Sequence, residues 1–449
     1  MRILHVALGL PPLRTGGLTR YCTELMQAQA KCGDEVVLLY PGRFLPGRMR
    51  TLSSLWKEIA TYEIINPLPV ALTYGIGDPV PFFAPCRNLS AYETLLQKIN
   101  PDVVHVHCFQ GVHLEFFETV KRRGIPIVYT THDYYPICPR CTLINSEGSE
   151  CSDGPSPKEC CACNFRRGMS YRNSLVMQSQ TYARLKETKI VKCLGSIAKR
   201  EISSSNGRSD SRVEPSPKSI LAYDQLLTYN RSIFSLFDTV ISNSRLSEKV
   251  YRQTFPDVDY RLLSISHAGL RRAASNLKPM PKNRPTRIAY LGGDRTYKGF
   301  DTLAGAVRIL FKRGIAMDVS LYGDDFAGPF DIPGARVRGR VAPDAVNAIL
   351  RHHDVVVVPS KCHETFGFIV LEALCEGTPV ICSDVVGAST LVDQNSVFRA
   401  GDEVSLADVI ERLLQHDFVS ISIPSDYPLS MNDQTLRLRS IYEDVSKGA

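Results

Sequence analysis

The sequence predicts an α/β protein built from two doubly wound, parallel-sheet domains. Three observations carry this expectation. Short β-branched runs alternate with longer amphipathic stretches. The alternation stops at a Pro- and Asn-rich segment and then restarts. The 449 residues, 44% of them hydrophobic, exceed what one ordinary core accommodates.

In the first half the strand candidates are "RILHVAL", "EVVLLY", "DVVHVH", "PIVYTTH" and "DTVISNS", separated by helix-like segments such as "LTRYCTELMQAQAKCG". That is the pattern of parallel βαβ units, and it sets out an N-terminal domain over residues 1–275. The segment "NLKPMPKNRPT", residues 276–286, marks the boundary. Beyond it "RIAYLGG", "DVSLYG", "DVVVVPS" and "PVICSD" outline a second domain over 286–430. A terminal helix, 431–449, is expected in "NDQTLRLRSIYEDVS", capped by Asn432 or Asp433. Two stretches interrupt the N-terminal pattern: a cysteine-rich insertion, 138–163, and a polar Ser- and Pro-rich insertion, 184–218, expected at the surface. No run of about 18 apolar residues occurs, so no transmembrane helix is expected. Met1-Arg2 leads straight into "ILHVALGLPP" without the pattern of a secretory signal, which points to a cytoplasmic protein.

Doubly wound sheets bind ligands at the carboxyl ends of their strands, and the motifs cluster there. "LRTGGLTRY" follows the first strand; Gly16 and Gly17 allow close backbone approach and open a helix whose amides suit a phosphate, although an ordinary turn has the same appearance. "YLGGDRTYKGF" repeats the arrangement and sets Arg295 and Lys298 at a helix entrance. Cations oppose the helix dipole there unless an anion lies between them; solvated surface cations are the alternative. "ETFGFIVLEALCEGTPVICSD" puts Glu364 in a loop and Glu372 on the following helix, a pair that can grip the hydroxyls of a sugar and a ribose or simply face solvent.

These residues carry a resemblance. "PSKCHETFGFIVLEALCEGTPVICSDVVGASTLV" resembles the donor-binding motif of the family 4 glycosyltransferases of the GT-B fold, in which two Rossmann-like domains face each other across a cleft. "RTGGLTRY", "DVVHVH", "DTVISNS" and "YKGFDTL" are similar to further segments of that family; the two insertions are not. The resemblance implies a hexosyltransferase-type enzyme that moves a sugar from a UDP- or GDP-sugar to a glycan or lipid-linked acceptor, with retention at the anomeric carbon, in cell-surface polysaccharide biosynthesis. It assigns Glu364 to donor sugar hydroxyls, the backbone amides of Phe366 and Gly367 to the donor, Glu372 to the ribose, and Lys298 to the leaving diphosphate. Arg295 and the Gly16-Gly17 amides are further donor contacts, and His107 of "HVHC" is the histidine near the reacting sugar, with His105 on the same strand face. Where the family has a glutamate, this chain has Thr390.

Outside the resemblance, "CPRC" at Cys138 and Cys141 and "CCAC" at Cys160 and Cys163 form two C-x2-C pairs at zinc-ribbon spacing, with Cys151 and Cys161 beside them. A structural zinc is expected, an iron-sulfur cluster being the alternative, and no cofactor is required for the chemistry. Between Arg261 and Lys298 nine Lys and Arg stand against one acid. The charge around Arg271, Arg272, Lys278 and Lys282 suggests docking on an anionic membrane surface, the inner face of the plasma membrane. A nucleotide-sugar epimerase of the same architecture is an alternative function. A zinc-containing nucleic-acid-binding protein is another, but the cysteine module is acidic and lacks interleaved aromatics, so no nucleic-acid partner is expected.

Overall fold

The computed structural model describes residues 1–145, 147–151, 154–165, 167–185, 215–270, 278–323, 326, 331–415, 427 and 429–448. Most of the polar insertion and Arg271 and Arg272 lie outside the described residues. The chain divides into two compact units, Met1–Ala268 with Ser430–Ala449, and Gly269–Leu429.

The first unit holds an eight-stranded sheet: β1 (Arg2–Val6), β2 (Glu35–Pro41), β3 (Arg50–Trp56), β4 (Ile59–Ile65), β5 (Val103–Val106), β6 (Ile127–Thr130), β7 (Thr239–Ser242) and β8 (Asp259–Leu262), in the order β3-β4-β2-β1-β5-β6-β7-β8. All pairings are parallel except β3 with β4. The five strands expected from the sequence are present, and their fully buried apolar runs, such as Val103–Val106, are what a sheet covered on both faces demands. The strand order reverses between β1 and β5, which pair from Ile3 with Val103 to Val6 with Val106. The glycine loop and the histidine segment therefore leave the sheet side by side at its switch point.

The second unit holds β9 (Thr286–Tyr290), β10 (Met317–Tyr322), β11 (Ala335–Gly339), β12 (Val355–Val358), β13 (Val380–Ser383) and β14 (Val397–Phe398), all parallel, in the order β11-β10-β9-β12-β13-β14. Its switch point lies between β9 and β12, the strands that deliver the Lys298 and Glu364 segments.

The terminal helix spans Met431–Gly448 and belongs to the first unit, not to the second that precedes it in sequence. Its cap is Ser430: the Asp433 amide donates to Ser430 Oγ at 3.1 Å, while Asp433 Oδ2 accepts from the Ser430 amide at 3.2 Å and its hydroxyl at 2.7 Å. This reciprocal box replaces the expected caps Asn432 and Asp433. Buried Tyr442 and Gln434 reach back to residues on the first helix, Gly17–Lys31, and on β5.

Candidate active site

In the second unit a short 3-10 turn, Thr296–Lys298, ends in Gly299 at φ 74°, which opens the helix Phe300–Lys312. A Cβ at Gly299 would lie 1.6 Å from the Pro359 carbonyl oxygen, so only glycine lets this turn pack against the loop after β12. The Lys361 and Cys362 amides both donate to the Tyr297 carbonyl at 3.0 Å. This close seam sets Lys298 Nζ 3.0 Å from Glu364 Oε1, on which Ser360 Oγ also converges. Burial pushes the Glu364 carboxyl up, but the Lys298 ammonium and the Ser360 hydroxyl outweigh it and hold the group below its ordinary value. Burial lowers Lys298, and Glu364 more than restores it. Both are charged at neutral pH.

The Glu364 loop is pinned from behind. Its amide donates to Val385 O, its carbonyl accepts from the Gly387 amide, and the Phe366 carbonyl accepts from the Ala388 amide at 2.7 Å. Gly367, at φ 97°, then turns the chain into the helix Phe368–Cys375. A Cβ there would meet Val386 Cγ1 at 2.8 Å and Glu364 Oε2 at 3.5 Å, so the second carboxylate oxygen lies against the bare face of Gly367. Glu372 is buried on the same helix, Phe366 is in the core, and Arg295 is exposed, its guanidinium donating to the Tyr297 hydroxyl at 2.9 Å. The structure thus brings Lys298, Glu364 and Gly367 together at the ends of β9 and β12, with Glu372 further along the helix that Gly367 opens. Arg295 turns to its own neighbour Tyr297.

In the first unit Gly16, at φ 113°, precedes the helix Gly17–Lys31, whose start has no side-chain cap. Arg14 in the same loop is buried, and burial pulls its guanidinium below its ordinary value; the sequence reading missed it. His105 and His107 are both fully buried. His107 Nε2 lies 2.9 Å from His5 Nδ1 and its Nδ1 lies 3.2 Å from His132 Nε2, so both ring nitrogens are engaged inside the protein. The ring with access to the outside is half-buried His132, just past the carboxyl end of β6, in the "TTHD" that the sequence reading treated only as a strand. Burial depresses all four rings, His5 to about 4 and His132 to about 3, and they are neutral at pH 7.

Cys138, Cys141, Cys160, Cys161 and Cys163 are buried, Cys151 is partly so, and all carry free thiols. Cys160 and Cys163 share the helix Pro157–Asn164, which a Ser156–Glu159 capping box starts. Burial raises the Cys160 thiol, with further pushes from Cys138, Cys163 and Cys151. Cys141 Sγ lies 3.4 Å from Leu72 O and 3.5 Å from Gln110 Nε2, and burial raises its thiol with pushes from Asp133, Cys138 and Cys108. Among the described residues the side chains that bring three ligand atoms within 4.8 Å of one another are His5, His105 and His107; the cysteines do not close to that distance.

Of the cations expected to form a basic patch, Lys278 is spent internally, donating to Leu350 O, Arg351 O and Thr378 Oγ1. Arg284 and Arg287 pair with Asp354 at 2.6 and 3.1 Å, while Lys282 is exposed. No helix among the described residues is long and apolar enough to cross a membrane.

Two family models match the chain, Glycosyltransferase Family 4 over residues 15–152 and Glycosyl transferases group 1 over residues 285–416. The chain belongs to this family. Together the matched segments contain Gly16, Gly17, His107, His132, Lys298, Glu364 and Glu372. Similar proteins include two phosphatidyl-myo-inositol mannosyltransferases. That of Mycobacterium leprae is 34% identical over 85 residues, 18% of this chain and 23% of that protein. That of Propionibacterium freudenreichii is 28% identical over 133 residues, 28% of this chain and 34% of that protein. The matches thus span 23% and 34% of these relatives. A glycosyltransferase from Rickettsia africae shares the fold, with a TM-score of 0.54 at 13% identity over 100% of this chain and 99% of that one. The chain has the GT-B fold of its family, and its Lys298–Glu364 pair sits in the group 1 segment.

Proposed function

We propose that this glycosyltransferase takes its sugar from a nucleotide-sugar donor, UDP- or GDP-linked, and passes it with retention at the anomeric carbon to a glycan or lipid-linked acceptor in cell-surface polysaccharide biosynthesis. The observation that carries the reading is the Lys298–Glu364 pair at the switch point of the second sheet. As the glycosidic bond to the diphosphate breaks, negative charge builds on the leaving group and the sugar becomes oxocarbenium-like; a fixed cation there lowers the barrier. Lys298 supplies it. Glu364 Oε1 is occupied by Lys298 and Ser360, which leaves Oε2 to accept from sugar hydroxyls beside Gly367. Glu372 takes the ribose diol.

The named activity of the two mannosyltransferases favours mannose as the sugar and a lipid-bearing acceptor. We place the enzyme in the cytoplasm at the inner face of the plasma membrane, where docking would rest on Lys282 with Arg271 and Arg272 and not on Lys278. For the cysteine-rich insertion we propose a structural metal, zinc ahead of an iron-sulfur cluster, with Cys151 joining Cys138, Cys160 and Cys163 in place of Cys141. Binding would draw these thiols inward as thiolates, and the energy of doing so would order the insertion.

Retention is tested by slow hydrolysis of an α-linked nucleotide-sugar followed by NMR. The α-anomer should be released first and mutarotate later; the β-anomer as first product would exclude retention.

A further inference from the structure

Arg14 is a buried cation without a counter-charge. It is only 9% exposed, and its guanidinium makes no hydrogen bond or ion pair with any described residue. The backbone explains how it comes to lie there. The Arg14 amide donates to Leu10 O at 2.9 Å, which folds the loop after β1 back on itself. Gly9, at φ 127°, leaves room for the Arg14 stem: a Cβ there would meet Arg14 Cγ at 3.2 Å and the Tyr40 ring at 3.5 Å. The titratable groups that face the guanidinium are Tyr182, Cys108 and Tyr74, two phenols and a thiol rather than a carboxylate.

The carboxylates near this loop are already committed. Glu63, close to Tyr40, is held by Arg43 at 2.6 and 2.7 Å. Asp133 accepts from the Tyr135 amide at 2.9 Å and from the Cys108 thiol. The helix Gly17–Lys31 that follows the loop starts without a side-chain cap and without an acid in its first turn, so its dipole adds to the positive potential. Taking a guanidinium out of water without a partner is costly, and an anion that meets it there recovers the loss. The site has a way in. None of the guanidinium nitrogens is sealed from solvent, and Tyr74 is 53% exposed, with a hydroxyl that bonds to no described residue.

We propose that Arg14 anchors an anion site in the first unit, which takes a carboxylate or phosphate carried by the acceptor. The planar guanidinium matches either oxyanion through two parallel N–H bonds. The Tyr74 ring offers an apolar face and a hydroxyl to the sugar that bears the charge. That the carrier is the acceptor rests on the function proposed above. The anion site itself is formed wholly by residues of the first unit and is separate from the Lys298–Glu364 pair of the second.

The test follows the melting temperature of the full chain with inorganic phosphate, glucose 6-phosphate, glucuronate and glucose, each without donor, since a ligand of the folded state stabilises it. At least one of the two charged sugars should raise the melting temperature of the wild type and of Lys298→Ala, while glucose should not. Arg14→Met should lose that gain, and calorimetry should show a drop of at least about ten-fold in affinity for the same sugar. A gain with glucuronate and not glucose 6-phosphate identifies a carboxylate; the reverse, with a gain from inorganic phosphate, identifies a phosphate. No gain in the wild type with either charged sugar, or an equal gain in Arg14→Met, would overturn the site. Should Arg14→Met fail to fold, Arg14→Gln decides it in the same way. Arg14→Met should also bind UDP or GDP as the wild type does; a loss there as large as that for the charged sugar would give Arg14 to the donor and overturn its assignment to the acceptor. A wild type that binds neither nucleotide yet keeps the Arg14-dependent gain would count against the donor reading and leave the anion site standing.

Discussion

Acidification from pH 7 to pH 5 should unfold the first unit far more readily than its carboxylates alone would suggest. His5 and His113 are buried, and burial brings each down from 6.5 to about 4, partly offset in His5 by the Gln29 oxygen and Asp34. At pH 5 the unfolded chain protonates both rings and the folded one almost neither. The unfolded state therefore binds more protons, and stability drops as pH falls through 6.5 towards 4. Each ring costs about 2 kcal/mol at pH 5 relative to pH 7. Asp133 works the other way: burial raises it to about 6 against the Tyr135 amide and the Cys108 thiol, so the folded state holds its proton first and gains about 1 kcal/mol at pH 5. For these three groups the balance is a loss of about 3 kcal/mol, a sizeable part of a marginal total of roughly 5–15 kcal/mol, and the depressed His105, His107 and His132 add to the loss in the same direction. A melting temperature measured every half pH unit should fall by at least about 5 °C between pH 7 and pH 5. His113→Gln should flatten that slope. A melting temperature that is level or rises over this range would refute the reasoning.

Gly299→Ala should damage the donor site without touching a charge: its Cβ would collide with the Pro359 carbonyl at a φ that alanine resists, so a stability loss of more than about 1 kcal/mol and weaker donor binding are expected in denaturant titration and calorimetry. Metal analysis of purified protein should find about one centre per chain. Cys138→Ser and Cys160→Ser should release it and lower the melting temperature, whereas Cys141→Ser, whose sulfur faces Leu72 and Gln110, should keep it; loss of metal in Cys141→Ser would restore the original quartet.

Much of the architecture was legible because parallel strands buried on both faces announce themselves as unbroken apolar runs: "DVVVVPS" and "DVVHVH" became β12 and β5. The hairpin β3–β4 was not. Its turn places Lys57 and Glu58 at φ 46° and 69°, where Asn-Gly is the usual signal, and β3 is largely exposed, so neither turn chemistry nor hydrophobic pattern marks it. Edge strand β11, "ARVRG", is polar for the same reason. For Glu364 and Lys298 spacing alone left the choice even and the resemblance singled them out; the structure sets both on segments that leave adjacent strands. Sequence alone could not choose between His105 and His107 and passed over His132, since only tertiary packing decides which histidines are sealed in. The return of the terminal helix to the first unit, which brings Tyr442 to His105, is likewise a fact of topology that no local pattern carries.

The measurement that tests the central claim most directly is isothermal titration of the protein with UDP-, GDP- and ADP-sugars, repeated on Lys298→Ala and Glu364→Gln, each confirmed folded by its melting curve. Wild type should bind one of these donors. Lys298→Ala should lose at least ten-fold in affinity for both the nucleotide-sugar and the free nucleoside diphosphate, since it removes the cation from the diphosphate. Glu364→Gln should lose affinity chiefly for the nucleotide-sugar, since Oε2 faces the sugar and not the phosphates. Wild-type binding of a donor left unchanged by both substitutions would contradict the account.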